Sequence, residues 1–294
     1  MKIIIGLLLI SIIAWSAYAY GSMVGLLNFS LSSGHYDIQK NIKYGTDPRH
    51  KLDIYHPKKS ISASQGQDKP VIVFVYGGAW KQGKKKDYKF IGHAFTQAGY
   101  RVVIADYRLF PQVKFPDFID DIADAIAYLD QNSQDTLGDV SQGMILMGHS
   151  AGAHTAATLA TDQHYFQQRN IRLKLRALVA LSGPYDLQLD DPEVIPIFTP
   201  VSPEKITKPA RLVHANMPPV LLLHGRKDTR VKPFHTERFA AALQQQGVDH
   251  TVKWYQDIAH IKIVSSIAAT LRFLNPTYDD IIAFLDSLES KNNG

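Results

Sequence analysis

The run Val71–Tyr76 (VIVFVY) is built from β-branched and aromatic side chains and carries no charge. A strand that is apolar at every position has no face to offer water. It therefore belongs in the interior of a mostly parallel sheet covered on both sides. Further strands are expected at Arg101–Ala105, Met144–Met147, Leu175–Leu181, Val220–His224 and Thr251–Tyr255. Between and after them lie stretches of helical pattern: Asp87–Ala98, Asp117–Leu129, Ala151–Thr161, Thr236–Gln246, Ile261–Leu274 and Tyr278–Leu288. In Asp117–Leu129 the apolar residues Ile119, Ile122, Ala123, Ile126 and Leu129 fall on one stripe. Alternation of this kind predicts an α/β fold with a mostly parallel central sheet and helices on both faces. Ligands of such sheets bind beyond the carboxyl ends of the strands, so chemistry is expected just after strands.

Gly148-His149-Ser150-Ala151-Gly152 meets that expectation. This G-x-S-x-G sits between the strand Met144–Met147 and the Ala-rich helix from Ala151. A nucleophile held on a tight strand-to-helix turn needs glycine two residues before and two after, because side chains there would collide. Ser150 is therefore the candidate nucleophile, the plainer reading being a serine N-cap beside a glycine. A serine hydroxyl needs a base to remove its proton and an acid to hold the base in the right tautomer. With such an elbow, acid and base follow in the order Asp or Glu, then His. Asp228 follows the strand Val220–His224, and His260 follows Thr251–Tyr255, so both occupy strand exits.

The chain has 12 histidines, so rivals exist. His224 reads as a packing residue at a strand end, His235 and His250 fall in or beside a surface helix, and His214 lies in a loop. His149 and His154 flank the elbow too closely to present a ring to Ser150. Asp257, three residues before His260, is too local to orient it, and Asp186 is a more distant rival to Asp228. Acyl transfer also needs donors for the developing oxyanion. The loop Tyr76-Gly77-Gly78-Ala79-Trp80 follows the first apolar run, and paired glycines let a backbone approach a substrate closely. Gly78 and Ala79 are the expected donors, with Gly77 as substitute and the Ala151 N–H as the elbow's contribution.

With these motifs in place the chain resembles the esterase/lipase branch of the α/β-hydrolases related to hormone-sensitive lipase. It is also similar to HGGxW-bearing esterases such as kynurenine formamidases and prenylcysteine methylesterases. The resemblance runs from Tyr44 to Leu288. It rests on Gly77-Gly78-Ala79-Trp80, Asp106-Tyr107-Arg108-Leu109 with Pro111, the elbow, Gly225 to Asp228, and His260. It implies the same triad and gives Asp106 and Arg108 a supporting role. Tyr76 stands where the family's oxyanion motif usually begins with His, and His149 where the hormone-sensitive-lipase type has Asp. The segment Asp190–Pro219 sits where such folds insert a small cap. Its Ile195, Ile197, Phe198 and Val201 are open to two readings, facing an acyl group or packing on the sheet.

Together these features imply hydrolysis of a small-molecule carboxylic ester through an acyl-enzyme on Ser150, with no metal or cofactor. An amide or formamide substrate fits the same residues. A catalytically inactive binding module of this fold and a membrane-anchored assembly factor are the alternatives from other classes. Without cysteine, thiolate catalysis, disulfides and Cys-based zinc sites are excluded. The net charge of +5 is partly local, in Lys81, Lys84, Lys85 and Lys86, a run that reads as a solvated loop. No nucleic-acid-binding signature accompanies it.

Residues 1–30 read apart from the catalytic domain expected over 38–290. Lys2 precedes the almost wholly apolar Ile3–Ala14, and Ala17-Tyr18-Ala19 supplies a small-x-small site. That describes a signal peptide cleaved near Ala19. Weaker apolar character continuing to Leu27 also suits a retained anchor long enough to cross a bilayer. Either fate exports the catalytic domain or tethers it to a membrane.

Overall fold

The structure, a computed structural model, describes Asn28 and residues 33–58, 69–189, 191–199 and 207–292. The expected N-terminal signal or anchor segment and Val201 lie outside the described residues. The strands are β1 (Tyr36–Lys43), β2 (Lys51–Pro57), β3 (Val71–Val75), β4 (Val102–Ala105), β5 (Met144–His149), β6 (Leu175–Leu181), β7 (Val220–Gly225) and β8 (His250–Tyr255). They form one sheet in the order β1-β2-β4-β3-β5-β6-β7-β8. β1 and β2 join antiparallel at one edge, and every pairing from β4 to β8 is parallel. Every residue of β3, β4, β5 and β7 is buried, as their unbroken apolar runs require.

The longer helices are α1 (Lys89–Gln97), α2 (Asp117–Gln131), α3 (Ala151–Thr161), α4 (Phe234–Gln245), α5 (His260–Ser265) and α6 (Thr277–Asn292). α1 leads from β3 back to β4, whereas α2, α3 and α4 lead the other way along the sheet. Right-handed crossovers put the two sets on opposite faces. α6 joins α1: the Tyr278 ring lies 5.6 Å from Phe95, and Tyr278 Oη donates to Ala94 O.

Four local features add to or differ from the sequence expectation. β1 was not legible, because a bulge between Gln39 and Ile42, with Asn41 at φ +57°, breaks its alternation. The expected helix over Ile261–Leu274 is two pieces, α5 and a 3₁₀ stretch at Ala269–Leu274. Ser265 and Ser266 close α5 by turning their hydroxyls onto Ile261 O and Ile263 O, which competes with continued helix. The lysine run is not uniformly solvated. Lys85 is buried, and its Nζ donates to Asp53 Oδ1 at 2.6 Å and Asn41 Oδ1 at 2.7 Å. Finally, of the two readings open for Ile197 and Phe198, inward packing is the one their burial supports. Phe198 is fully buried with its ring 4.9 Å from Trp80 and 5.2 Å from Phe115.

Candidate active site

Ser150 stands between β5 and α3 at φ +58°, ψ −126°. A non-glycine residue pays for such a conformation in strain, and it persists only where the surroundings dictate it. The surroundings here are backbone. A Cβ on Gly148 would land on Gly152 O, and one on Gly152 on Val75 O, so the elbow can pack against β3 only with glycine at both positions. Ser150 is the N-cap of α3, yet its hydroxyl makes no capping bond. It lies 2.8 Å from His260 Nε2 instead.

His260 is the first residue of α5, just past β8. Its Nδ1 lies 2.7 Å from Asp228 Oδ2. Asp228 is on the turn after β7, with Oδ1 accepting the N–H groups of Arg230 at 3.0 Å and Val231 at 2.9 Å. Burial alone would raise the Asp228 carboxyl. The hydrogen bond and charge of His260 and the Val231 N–H outweigh it and hold the group below its ordinary value. An ionised Asp228 accepts from His260 Nδ1–H, which leaves Nε2 as the acceptor facing the Ser150 hydroxyl. Strand exits thus bring together all the residues the sequence singled out for the triad.

The loop expected to carry the oxyanion donors reaches Ser150 at Gly77. A Cβ on Gly77 would lie 2.9 Å from Ser150 Cβ. Gly78, Ala79 and Trp80 follow in left-handed conformations, φ +129°, +51° and +57°. Lys81 and Gln82 N–H groups close the turn onto Gly78 O. Ala151 is the first residue of α3, where backbone N–H groups have no partner within the helix. Tyr76, in the place of the family's usual His, is stacked between Tyr88 and Tyr107. Burial keeps its phenol protonated. It donates to Asp106 Oδ1 at 2.9 Å, and Arg49 Nη2 donates to it. Arg108 forms a bidentate pair with the fully buried Asp121. Asp106 therefore braces the start of the loop through Tyr76, while Arg108 ties the exit of β4 to α2.

The rivals are occupied elsewhere. Asp257 pairs with Lys227 at the exposed surface, and Asp186 pairs with Arg238 and Arg211. His154 Nε2 donates to Thr207 O, His235 Nδ1 accepts from the Asp186 N–H, and His250 Nδ1 bonds to Val248 O. His214 lies in the loop before β7. Two dismissed histidines do touch the site. His224 Nε2 donates to Val231 O at 2.9 Å while Thr236 Oγ1 donates to its Nδ1, so it holds the turn that carries Asp228. His149 Nε2 donates to His260 O at 2.9 Å. No pattern in the sequence gives either role, because each depends on which loop happens to lie across the strand end.

Among the described residues no group of three or more His, Cys, Asp or Glu side chains is placed to hold a metal ion. A cavity of about 910 Å³ lies at the opposite, amino end of the strands, lined by Phe166, Ile171, Leu175, Arg176 and Pro219.

Comparison with known proteins bears on the fold and the family. A probable isoprenylcysteine alpha-carbonyl methylesterase of Oryza sativa is 29% identical over 250 residues, 77% of this chain. The chain spans 58% of that relative's own length. An inhibited crystal structure of esterase B from Lactobacillus rhamnosis superposes with a TM-score of 0.78 at 15% identity, covering 97% of each chain. MGS-M1, an alpha/beta hydrolase from a deep-sea metagenome library, gives 0.67 at 19% identity over 86% of this chain and 98% of its own. These likenesses establish the α/β-hydrolase fold. Residues 52–243 match the family model BD-FAE, a span that runs from β2 through the elbow and Asp228 into α4, and the chain belongs to the BD-FAE family.

Proposed function

We propose that the protein is a serine carboxylesterase acting on small-molecule esters through an acyl-enzyme on Ser150. The observation that carries the proposal is the continuous relay from Ser150 Oγ to His260 at 2.8 Å and from His260 to Asp228 at 2.7 Å. Ser150 Oγ attacks the acyl carbon as His260 Nε2 takes its proton. The oxyanion that forms accepts hydrogen bonds from the N–H groups of Gly78, Ala79 or Gly77, and Ala151. His260 then returns the proton to the leaving alkoxide, and an alcohol departs. A water, deprotonated by the same nitrogen, attacks the acyl-enzyme and releases the carboxylic acid, and Ser150 recovers its proton. Asp228, held ionised, stabilises the imidazolium formed in each half. Purified protein from residue 33 onward should hydrolyse short p-nitrophenyl esters, and Ser150→Ala should not. Equal rates for the two would overturn the assignment.

We infer separately that the domain, residues 38–290, lies outside the cytoplasm or is tethered to a membrane by residues 1–30. Among the described residues no helix is long and apolar enough to cross a membrane. The support is in the sequence, where Ile3–Ser33 carries no charge. Asn28 Nδ2 donates to Asp87 O at 3.1 Å, just ahead of α1. The mass of the protein in membrane and soluble fractions tests this: loss of about the first 20 residues indicates cleavage. Full-length protein in the soluble fraction would count against both fates.

A further inference from the structure

The proposed base reaches the nucleophile from a distance. His260 leaves from β8, and Ser150 from β5, with β6 and β7 between them in the sheet. At about 4.8 Å per strand, roughly 14 Å of structure separates the two strand axes. α5 is only six residues long, and the loop before it carries the exposed Asp257. On its own side the loop before His260 is tied at Ile258 O by the Lys227 N–H, one strand away on the β7 exit. One described bond crosses directly to β5 from the backbone of His260. It comes from His149, the residue next to the nucleophile, whose Nε2 lies 2.9 Å from His260 O.

The His149 ring is built into this position. It is 2% exposed, with its centroid 4.8 Å from that of His260. Its Nδ1 faces Gly77, whose Cβ position lies 3.4 Å away. A carbonyl can only accept, so the proton of the neutral ring sits on Nε2. Burial, with the neighbouring His260 next in effect, lowers the His149 pKa to about 3, and the donor is therefore the same at any pH where a histidine base works.

We propose that His149 is a positioning residue that sets the height and rotation of the His260 imidazole over Ser150. It does so through the His260 carbonyl, and it takes no proton itself. The proposal rests on the serine-esterase reading. Because His149 and Ser150 are consecutive residues on one strand end, the tether references the base to the nucleophile across a single peptide instead of across three strand pairings. A displacement of about 1 Å at such a contact costs on the order of a hundredfold in rate.

Three substitutions separate the donor from the bulk of the ring. His149→Gln places an amide N–H where Nε2 stands, His149→Asn places it one bond short, at Nδ1, and His149→Phe keeps a ring without a donor. Asn and Phe should lower kcat by roughly 10- to 100-fold with KM within about twofold, and Gln should recover most of the loss. The downfield proton resonance of the His260–Asp228 hydrogen bond should persist in Gln and broaden or move in Asn and Phe. Wild-type kcat in Phe, or Gln no better than Asn, would overturn the proposal. If Phe fails to fold, the Gln and Asn pair decides. If the wild-type protein hydrolyses no ester, the functional reading fails, and the resonance still judges the tether. An unchanged resonance in Asn and Phe overturns it.

Discussion

The backbone at Gly225 touches that of Ile258: a Cβ on Gly225 would fall on the Ile258 carbonyl oxygen. The same oxygen accepts the Lys227 N–H at 3.1 Å. This contact joins the exit of β7 to the exit of β8, and the loops it joins carry Asp228 and His260. Gly225→Ala would force the two exits apart. Expected are a fall in kcat of at least about tenfold and a lower thermal midpoint. Retention of wild-type kcat would show that the loops meet without this contact.

Asp228 accepts two backbone N–H groups on one oxygen and His260 on the other. Asp228→Asn keeps the shape but presents a side-chain amide donor or a neutral acceptor to the imidazole. The wrong tautomer then faces Ser150, and kcat should drop by about 10⁴ with the fold preserved. Steady-state kinetics with a short ester, alongside circular dichroism, would check both halves of the statement. A loss under tenfold would remove Asp228 from its assigned role.

Stability should fall in acid earlier than carboxylates alone would make it. Burial lowers His149 to about 3 and His154 and His235 to about 4, against an ordinary value near 6.5. Below that value the unfolded chain takes up protons that the folded chain refuses. Stability is therefore complete above about pH 6.5 and is lost as pH falls towards the folded values, by roughly 1.4 kcal/mol per pH unit for each ring. Asp228, held low, adds loss in the same direction at lower pH. Urea midpoints measured from about pH 7.5 to 4.5 should decline steadily, and His154→Gln should flatten the decline. A midpoint independent of pH over that range would contradict the neutral assignment.

Lys85 differs from its neighbours in the lysine run. It is paired to Asp53, itself 3% exposed, whereas Lys84 and Lys86 are exposed. Lys85→Met strands a buried carboxylate and should cost about 3–5 kcal/mol. Lys84→Ala and Lys86→Ala should each stay within about 0.5 kcal/mol. Chemical denaturation of the three variants would compare them directly, and equal effects would mean that Lys85 is not the buried partner of Asp53.

Much of this architecture is legible in the amino-acid sequence. Unbroken apolar runs such as Val71–Tyr76 and Val220–Leu223 mark strands buried on both faces, because runs this short, bounded by turn residues, suit a strand better than a helix. Their alternation with helical stripes then implies a parallel sheet. The elbow is readable because steric demand selects glycine at Gly148 and Gly152. β1 is not, since its bulge at Asn41 destroys the period of two. Nor is the end of α5, where serine hydroxyls compete with the backbone.

For the site, residue types and their order after strands are enough to single out Ser150, Asp228 and His260. Their separation into acid and base loops follows from local chemistry, a carboxylate and an imidazole each placed where a strand ends. Which histidines brace them is decided only in three dimensions. His149 and His224 act through carbonyls of residues 111 and 7 positions away, and a ring's reach depends on which loop crosses its strand end. The burial of Lys85 is of the same kind, since Asp53 and Asn41 reach it from β2 and β1. Local pattern records what a residue can do, and long-range packing decides what it meets.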